Sequence, residues 1–344
     1  MNLENRINRW KKLYEPNPTK REVRFLIDYP NPDNDMPILN AENKQQRIDW
    51  AKRLYEWQIR NAESYEDDYL PHLYPLTGTE IIAEAFGCEV RYPENGMPFA
   101  LPLVFDSEAA SKIKVPKLED TPLMLLFEIM DELKRFAGDD ALIRLPDMQG
   151  PMASTLLIWD KNDIFLAMYE EPEAVLELAQ KVKELFVAFA DEWFKRYGHT
   201  KYIAHYPAYY MEGGITMSAC DIGSFSPEMY REFFAGEIDE LSRRYGGIGI
   251  HSCADSIKHW GDLRQIDGVK LLNLSPQTEE QFFQAFEFFK DTCAQLHYRF
   301  LSESSNITPD DLEKFPANCR VVLPLAADNL DHAKQLADIY GKYR

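Results

Sequence analysis

No run of apolar residues in this chain of 344 approaches the ~18 that a membrane-spanning helix needs. The opening MNLENRINRW is polar and has no apolar signal-peptide core. A cytoplasmic protein with no membrane partner is the expectation. Cysteine is sparse: Cys88, Cys220, Cys253, Cys293 and Cys319 are scattered without framework spacing, so reduced thiols, free to bind metal, are expected rather than disulfides. Positive charge is short as well. Lys and Arg number 38 against 57 Asp and Glu, and the net charge of −19 repels phosphate backbones and argues against a nucleic-acid partner. A small-molecule substrate stays open, because a local pocket need not share the sign of the whole surface. No G-x-G-x-x-G or P-loop segment follows any expected strand, which weakens a dinucleotide-binding reading.

What is there is core material, 45% hydrophobic with 13% aromatic residues. Residues 1–40 carry the turn clusters PNPTK and YPNPDNDMP and read as an extended arm with one short helix at 3–13. Ile48, Trp50, Leu54 and Trp57 recur at helical spacing over 43–63, and TGTEIIAEAFG opens another helix with Thr77 or Thr79 as cap. From about residue 120, strands at 141–145, 202–206, 214–219, 247–251, 269–274, 296–301 and 320–324 are interleaved with helices at 121–137, 162–169, 171–197, 226–244, 255–263, 277–291, 308–315 and 328–342. The strands are short and rich in Val, Ile and Leu, as suits a parallel sheet buried on both faces. The number of units and the chain length favour an α/β fold of the TIM (β/α)8 barrel type with an N-terminal extension, an open doubly wound sheet being the alternative. The division is residues 1–75, an arm and helices packing on the barrel, and 76–344, the barrel.

In such a barrel the chemistry sits at the C-terminal ends of the strands. The residues falling there are Asp147 and Gln149 in RLPDMQG, Cys220 and Asp221 in ITMSACD, His251 and Cys253 in IGIHSC, Asn273 and Ser275 in LLNLS, and Glu303 in RFLSE. His205 and Tyr209 follow a further strand. Residues i and i+2 share one face of a strand, so His251 and Cys253 aim together, with His259 beyond them. Imidazole and thiolate together suit zinc, which needs at least one further protein ligand. Cys220 lies at the correct end, with Asp221 and Glu303 as oxygen donors; Cys319 begins its strand and points to the opposite mouth. The strand-end set is acidic or neutral, which suits a substrate poorer in negative charge than a polycarboxylate.

Three segments in order, MQGPMASTLL, CDIGSFSPEMYREFF and IGIHSCAD, resemble the G-P-F-T-L, D-S-x-x-G-x-L-S-P-x-x-F and H-x-C-G stretches of the uroporphyrinogen decarboxylase superfamily, over roughly residues 75–344. That superfamily holds the decarboxylase and zinc-dependent corrinoid or coenzyme M methyltransferases on a TIM barrel. The resemblance to the methyltransferase branch implies zinc on His251 and Cys253. A third cysteine there comes from a late G-C-G segment, where this chain reads LPLAADNLDHAK, and Cys220 or Glu303 would complete the shell. The decarboxylase branch's R-Q-A-G-R is not reproduced in REVRFLIDYP, its tyrosine falls at about Leu157 and its serine at about Cys220. The resemblance therefore points to a methyltransferase exchanging a methyl group between a small substrate or thiol and a corrinoid carried on a separate protein, since no D-x-H-x-x-G segment is present. In that reading Asp147, Gln149, Tyr209, Asn273 and Ser275 contact substrate. The rivals are a metal-free decarboxylase or lyase with Asp221 or Glu303 as acid and His251 as base, and a barrel that binds ligand without turnover.

Overall fold

The computed structural model describes residues 3–94, 96–298 and 306–344. Its strands are β1 (Glu22–Asp28), β2 (His72–Leu73), the small antiparallel hairpin β3 and β4 (Val90–Arg91 and Phe99–Ala100), β5 (Leu142–Ile143), β6 (Tyr202–Ile203), β7 (Tyr210–Met211), β8 (Ile215–Ser218), β9 (Ile248–Ser252), β10 (Val269–Leu274), β11 (Ala294–Gln295) and β12 (Arg320–Ala326). Six of them form one parallel arc in the order β1-β12-β11-β10-β9-β8, and β2 with β5 forms a second.

The two arcs join at both ends. Beyond β5, Gln149 bridges Ser218 of β8, whose N–H donates to Met148 O at 2.9 Å while Gly150 N donates to Ser218 O at 2.9 Å. At the other seam the chain entering β2 lies along β1: Asp68 N donates to Phe25 O at 2.8 Å, and the carboxylates of Asp68 and Asp67 accept from Phe25 N and Ile27 N at 3.0 Å each. Buried backbone N–H groups must find acceptors, and here side-chain oxygens take the place of a neighbouring strand's carbonyls. Their charges are met by Arg6, 3.1 Å from Asp67, and Arg9, 2.6 Å from Asp68. Both arginines lie on the helix Leu3–Leu13. The ring so closed is a TIM barrel.

The stretch read as an extended arm thus contributes a barrel strand as well as its helix. β1 was hidden in the sequence because Glu22 and Arg24 interrupt its apolar run. In the fold Arg24 is 1% exposed and donates to Val23 O and to Glu22, a local arrangement that composition does not reveal. The long helix matches its expected span. Pro172–Tyr197 starts with proline in its first turn and stops at Gly198, whose φ of 94° suits glycine. Its inward stripe runs Val175, Leu178, Val182, Phe186, Phe189 and Trp193. Of the expected strand at 296–301, residues 299–301 lie outside the described residues, as does Glu303; ahead of them β11 spans Ala294–Gln295, and Leu296 N and Tyr298 N still donate to Leu272 O and Leu274 O of β10.

The N-terminal end of the barrel is plugged. Trp10, Leu26, Tyr69, His72, Tyr209 and Tyr210 surround a cavity of about 10 Å³, room for about one water. Tyr209, expected at the mouth, is therefore in the floor, 2% exposed. The reason is the turn after β6: the chain reverses into β7, antiparallel to it, and carries residues 209 and 210 back down the barrel.

Candidate metal centre

The inner face of β9 decides the site. Gly249, His251 and Cys253 share it by alternation. At Gly249 a side chain has no room, because a Cβ would stand 2.3 Å from the Tyr209 hydroxyl. Two and four residues further on the strand has risen above that plug, and His251 and then Cys253 face the open mouth. Cys220 opens a 3-10 turn, Cys220–Ser224, directly after β8, and Ala219 N donates to His251 O at 2.8 Å, which sets the turn beside the histidine. Gly223 lets that turn press against the loop following Cys253, since a Cβ there would come within 2.6 Å of Ala254. His259 is buried, and its Nε2 lies 2.8 Å from Ile222 O, so it pins the turn that carries Cys220 and stands apart from the ligand cluster.

One donor atom each of Cys220, His251 and Cys253 lies within 4.8 Å of the other two. Tetrahedral zinc, with bonds of ~2.3 Å to sulfur and ~2.0 Å to nitrogen, sets its donors roughly 3.5–3.8 Å apart, so the group needs only a slight contraction. His251 is 5% exposed, Cys220 half-buried and Cys253 exposed. Asn273, opposite His251 in the β9–β10 register, gives its Nδ2 to Leu296 O and so turns its Oδ1 toward His251 Nδ1, which donates to it. This fixes the tautomer and leaves Nε2 its lone pair, the arrangement a ligating histidine requires. Asn273 is fully buried; it contacts the imidazole and not the mouth, which corrects its expected place as a substrate contact.

The Cys253 thiol is pushed well below its ordinary range by the hydrogen bond from Cys220 and then by His251, while Cys220 is pushed up by the same bond and by burial. One proton is shared between two sulfurs, so a single thiolate forms readily and the second only when a cation displaces the proton. Two soft thiolates and an imidazole fit zinc, and three protein ligands leave a fourth position for a reactant. Tyr206 covers the imidazole edge-on at 4.8 Å between ring centroids and lies 6.2 Å from Tyr298.

Beside this cluster, on the chain that follows β5 and lies along β8, stands a polar group. Asp147 takes a hydrogen bond from Gln149 Nε2 at 2.9 Å, and its N–H donates to Thr77 Oγ1 at 2.8 Å. Thr77 is therefore not the helix cap expected of it; the helix begins at Ile81 behind Glu80. His205 Nε2 lies 2.9 Å from Ser218 Oγ and 3.4 Å from Asp147, and burial holds the ring neutral. Arg144 donates from Nε to His205 O at 2.7 Å and stacks its guanidinium 3.9 Å from the Tyr74 ring centroid.

Of the remaining expected residues, Asp221 sits beside Cys220 but is paired with Lys161 at 3.1 Å, and Ser275 follows β10 half-buried, its carbonyl accepting from Gln277. Sequence reasoning missed Arg144, Tyr206 and Tyr298. The one signal for Arg144 was a charged residue set inside the apolar strand segment LIRL, and it corrects the picture of a mouth that is only acidic or neutral.

The family model for Uroporphyrinogen decarboxylase (URO-D) matches residues 75–287, more than half of the chain. Among solved structures the chain is similar to a methyltransferase from Methanosarcina mazei at 14% identity and a TM-score of 0.65, with 99% of this chain and 98% of that one covered. The metallated homocysteine methyltransferase MmuM from Escherichia coli aligns at 13% identity and a TM-score of 0.26, over 79% of this chain and 97% of that one. No curated protein sequence matches the chain.

Proposed function

The chain belongs to the uroporphyrinogen decarboxylase (URO-D) family, and within it we propose a zinc-dependent methyltransferase that moves a methyl group between a small substrate or thiol and a corrinoid held on a separate protein. The observation that carries this reading is the convergence of Cys220, His251 and Cys253 at the barrel mouth. The fold shared with the Methanosarcina mazei methyltransferase agrees with it. A zinc ion on these three side chains would supply the Lewis acidity that keeps a thiol in its nucleophilic thiolate form at neutral pH. The chain's own residues do the rest. Asn273 holds the His251 ring in the tautomer and plane that direct Nε2 inward. Tyr206, edge-on to His251 and beside Tyr298, lines the mouth next to the nucleophile with aromatic surface. Asp147 and Gln149, tied to each other, orient the reactant from beyond the end of β5, beside β8. Asp221, neutralised by Lys161, braces the turn of Cys220.

Metal analysis of untagged protein tests the proposal. It gives close to one zinc per chain for the native sequence and none for Cys253→Ala or Cys220→Ala, with demethylation of free methylcobalamin by a thiol lost in step. Metal retained by both variants, or a native protein that stays metal-free after zinc is supplied, overturns it.

A further inference from the structure

Arg144 and Asp147 carry opposite charges into one mouth and do not pair. No carboxylate lies within ion-pair distance of Arg144 among the described residues, and its donors go to a backbone carbonyl and its flat face to Tyr74. Asp147 is held by Gln149 and Thr77; among the described residues no Lys or Arg stands within ion-pair distance of it, and His205 beside it is kept neutral by burial. The side chain of Asp147 keeps 20% of its surface exposed. His205 separates the two: its carbonyl anchors Arg144 on one side and its ring adjoins Asp147 on the other. Half-buried charges usually collapse onto each other, since an unpaired one in a low-dielectric site is strongly disfavoured. Two separate scaffolds that keep a guanidinium and a carboxylate apart leave both waiting for a ligand that bears the opposite pair.

We propose that Arg144 and Asp147 form a receptor for a small zwitterion, the guanidinium taking the ligand's carboxylate and Asp147 its ammonium, so that an amino acid or a betaine is presented to Cys220, His251 and Cys253. This rests on the methyl-transfer reading only for what happens next, since recognition of the charge pair needs no metal. The bidentate geometry of a guanidinium suits a carboxylate, and Tyr206 with Tyr298 offers aromatic faces to an N-methylated ammonium.

Calorimetric titration of the full-length protein with thiol-free probes tests it. L-norleucine binds about 10- to 100-fold more tightly than hexanoate, which lacks the ammonium, or pentylamine, which lacks the carboxylate. Arg144→Gln brings norleucine down to the level of pentylamine, Arg144→Lys restores part of the difference, and Asp147→Asn brings norleucine down to the level of hexanoate. Glycine betaine separates the two sources: tighter binding than norleucine assigns the receptor to the methyl donor, weaker binding to the acceptor. Cys253→Ala leaves the norleucine preference intact, so a failed metal proposal and a failed receptor give different results. Truncated probes that bind as well as norleucine, or no saturable binding by either zwitterion, overturn the inference, as does an equal loss of all probes in both variants with the unfolding midpoint unchanged.

Discussion

The floor and the mouth of the barrel each bury a histidine, and the two are built for opposite ends. His72 in the floor is 1% exposed, with Nδ1 2.8 Å from Leu70 O and Nε2 toward the small cavity under Trp10 and Tyr210. Burial and then the Arg144 charge push its pKa down to about 3. His251 in the mouth is 5% exposed, yet its second nitrogen faces two thiols and its first is held by a side chain that is itself held. Depth does not distinguish a packing histidine from a candidate ligand. What distinguishes them is whether the remaining nitrogen meets a closed apolar wall or a set of convergent donors.

If the two ends are independent, damage to one spares the other. Trp10→Ala removes the largest side chain of the floor and the bond from its Nε1 to Asp68 O; it should cost about 3–5 kcal/mol of stability with metal content at low temperature unchanged, read by denaturant titration beside metal analysis. Loss of metal in that variant would join the two regions into one cooperative unit. Asn273→Ala should lower metal affinity ~10- to 100-fold in a chelator competition, with Asn273→Asp recovering part of it, because only an acceptor at that position fixes the His251 tautomer. A pH-dependent effect belongs to the floor and to His297, whose pKa burial also pushes down to about 3. The folded pKa of each lies below the unfolded value of ~6.5, so the stability these residues contribute is complete above that value and is lost as pH falls from there toward 3. The slope is roughly 1.4 kcal/mol per pH unit for each histidine. His72→Gln should flatten the stability profile between pH 6 and 4 by one histidine's share; an unchanged slope would mean the floor admits water.

The alternation after residue 120 was legible because β8, β9, β10 and β12 are short, largely apolar segments whose length separates them from the helices between. β2, with two residues, and β1, with its buried charges, were not, since their place in the sheet comes from Asp67, Asp68 and a helix contributed by distant sequence. At the candidate site the grouping of Cys220 with His251 and Cys253 could be anticipated from strand ends and parity. The roles of Asn273 and Tyr209 could not be read, because one depends on which residue lies across the β9–β10 register and the other on a reversal of the chain after β6. Arg144 was missed for a related reason: a lone charge in a strand takes its meaning from the carbonyl and the ring that receive it.

The barrel's longest seam pairs β1 with β12 over seven residues, from Glu22 against Arg320 to Asp28 against Ala326. β1 is therefore made long before the partner it pairs with. At roughly 5–20 residues per second, β1 spends on the order of tens of seconds with an exposed edge, guarded only by the short helix before it and by two aspartates that arrive soon after. Nascent chains of this protein should be at their most vulnerable to mispairing, and in greatest need of a chaperone, until β12 has emerged to cover that edge.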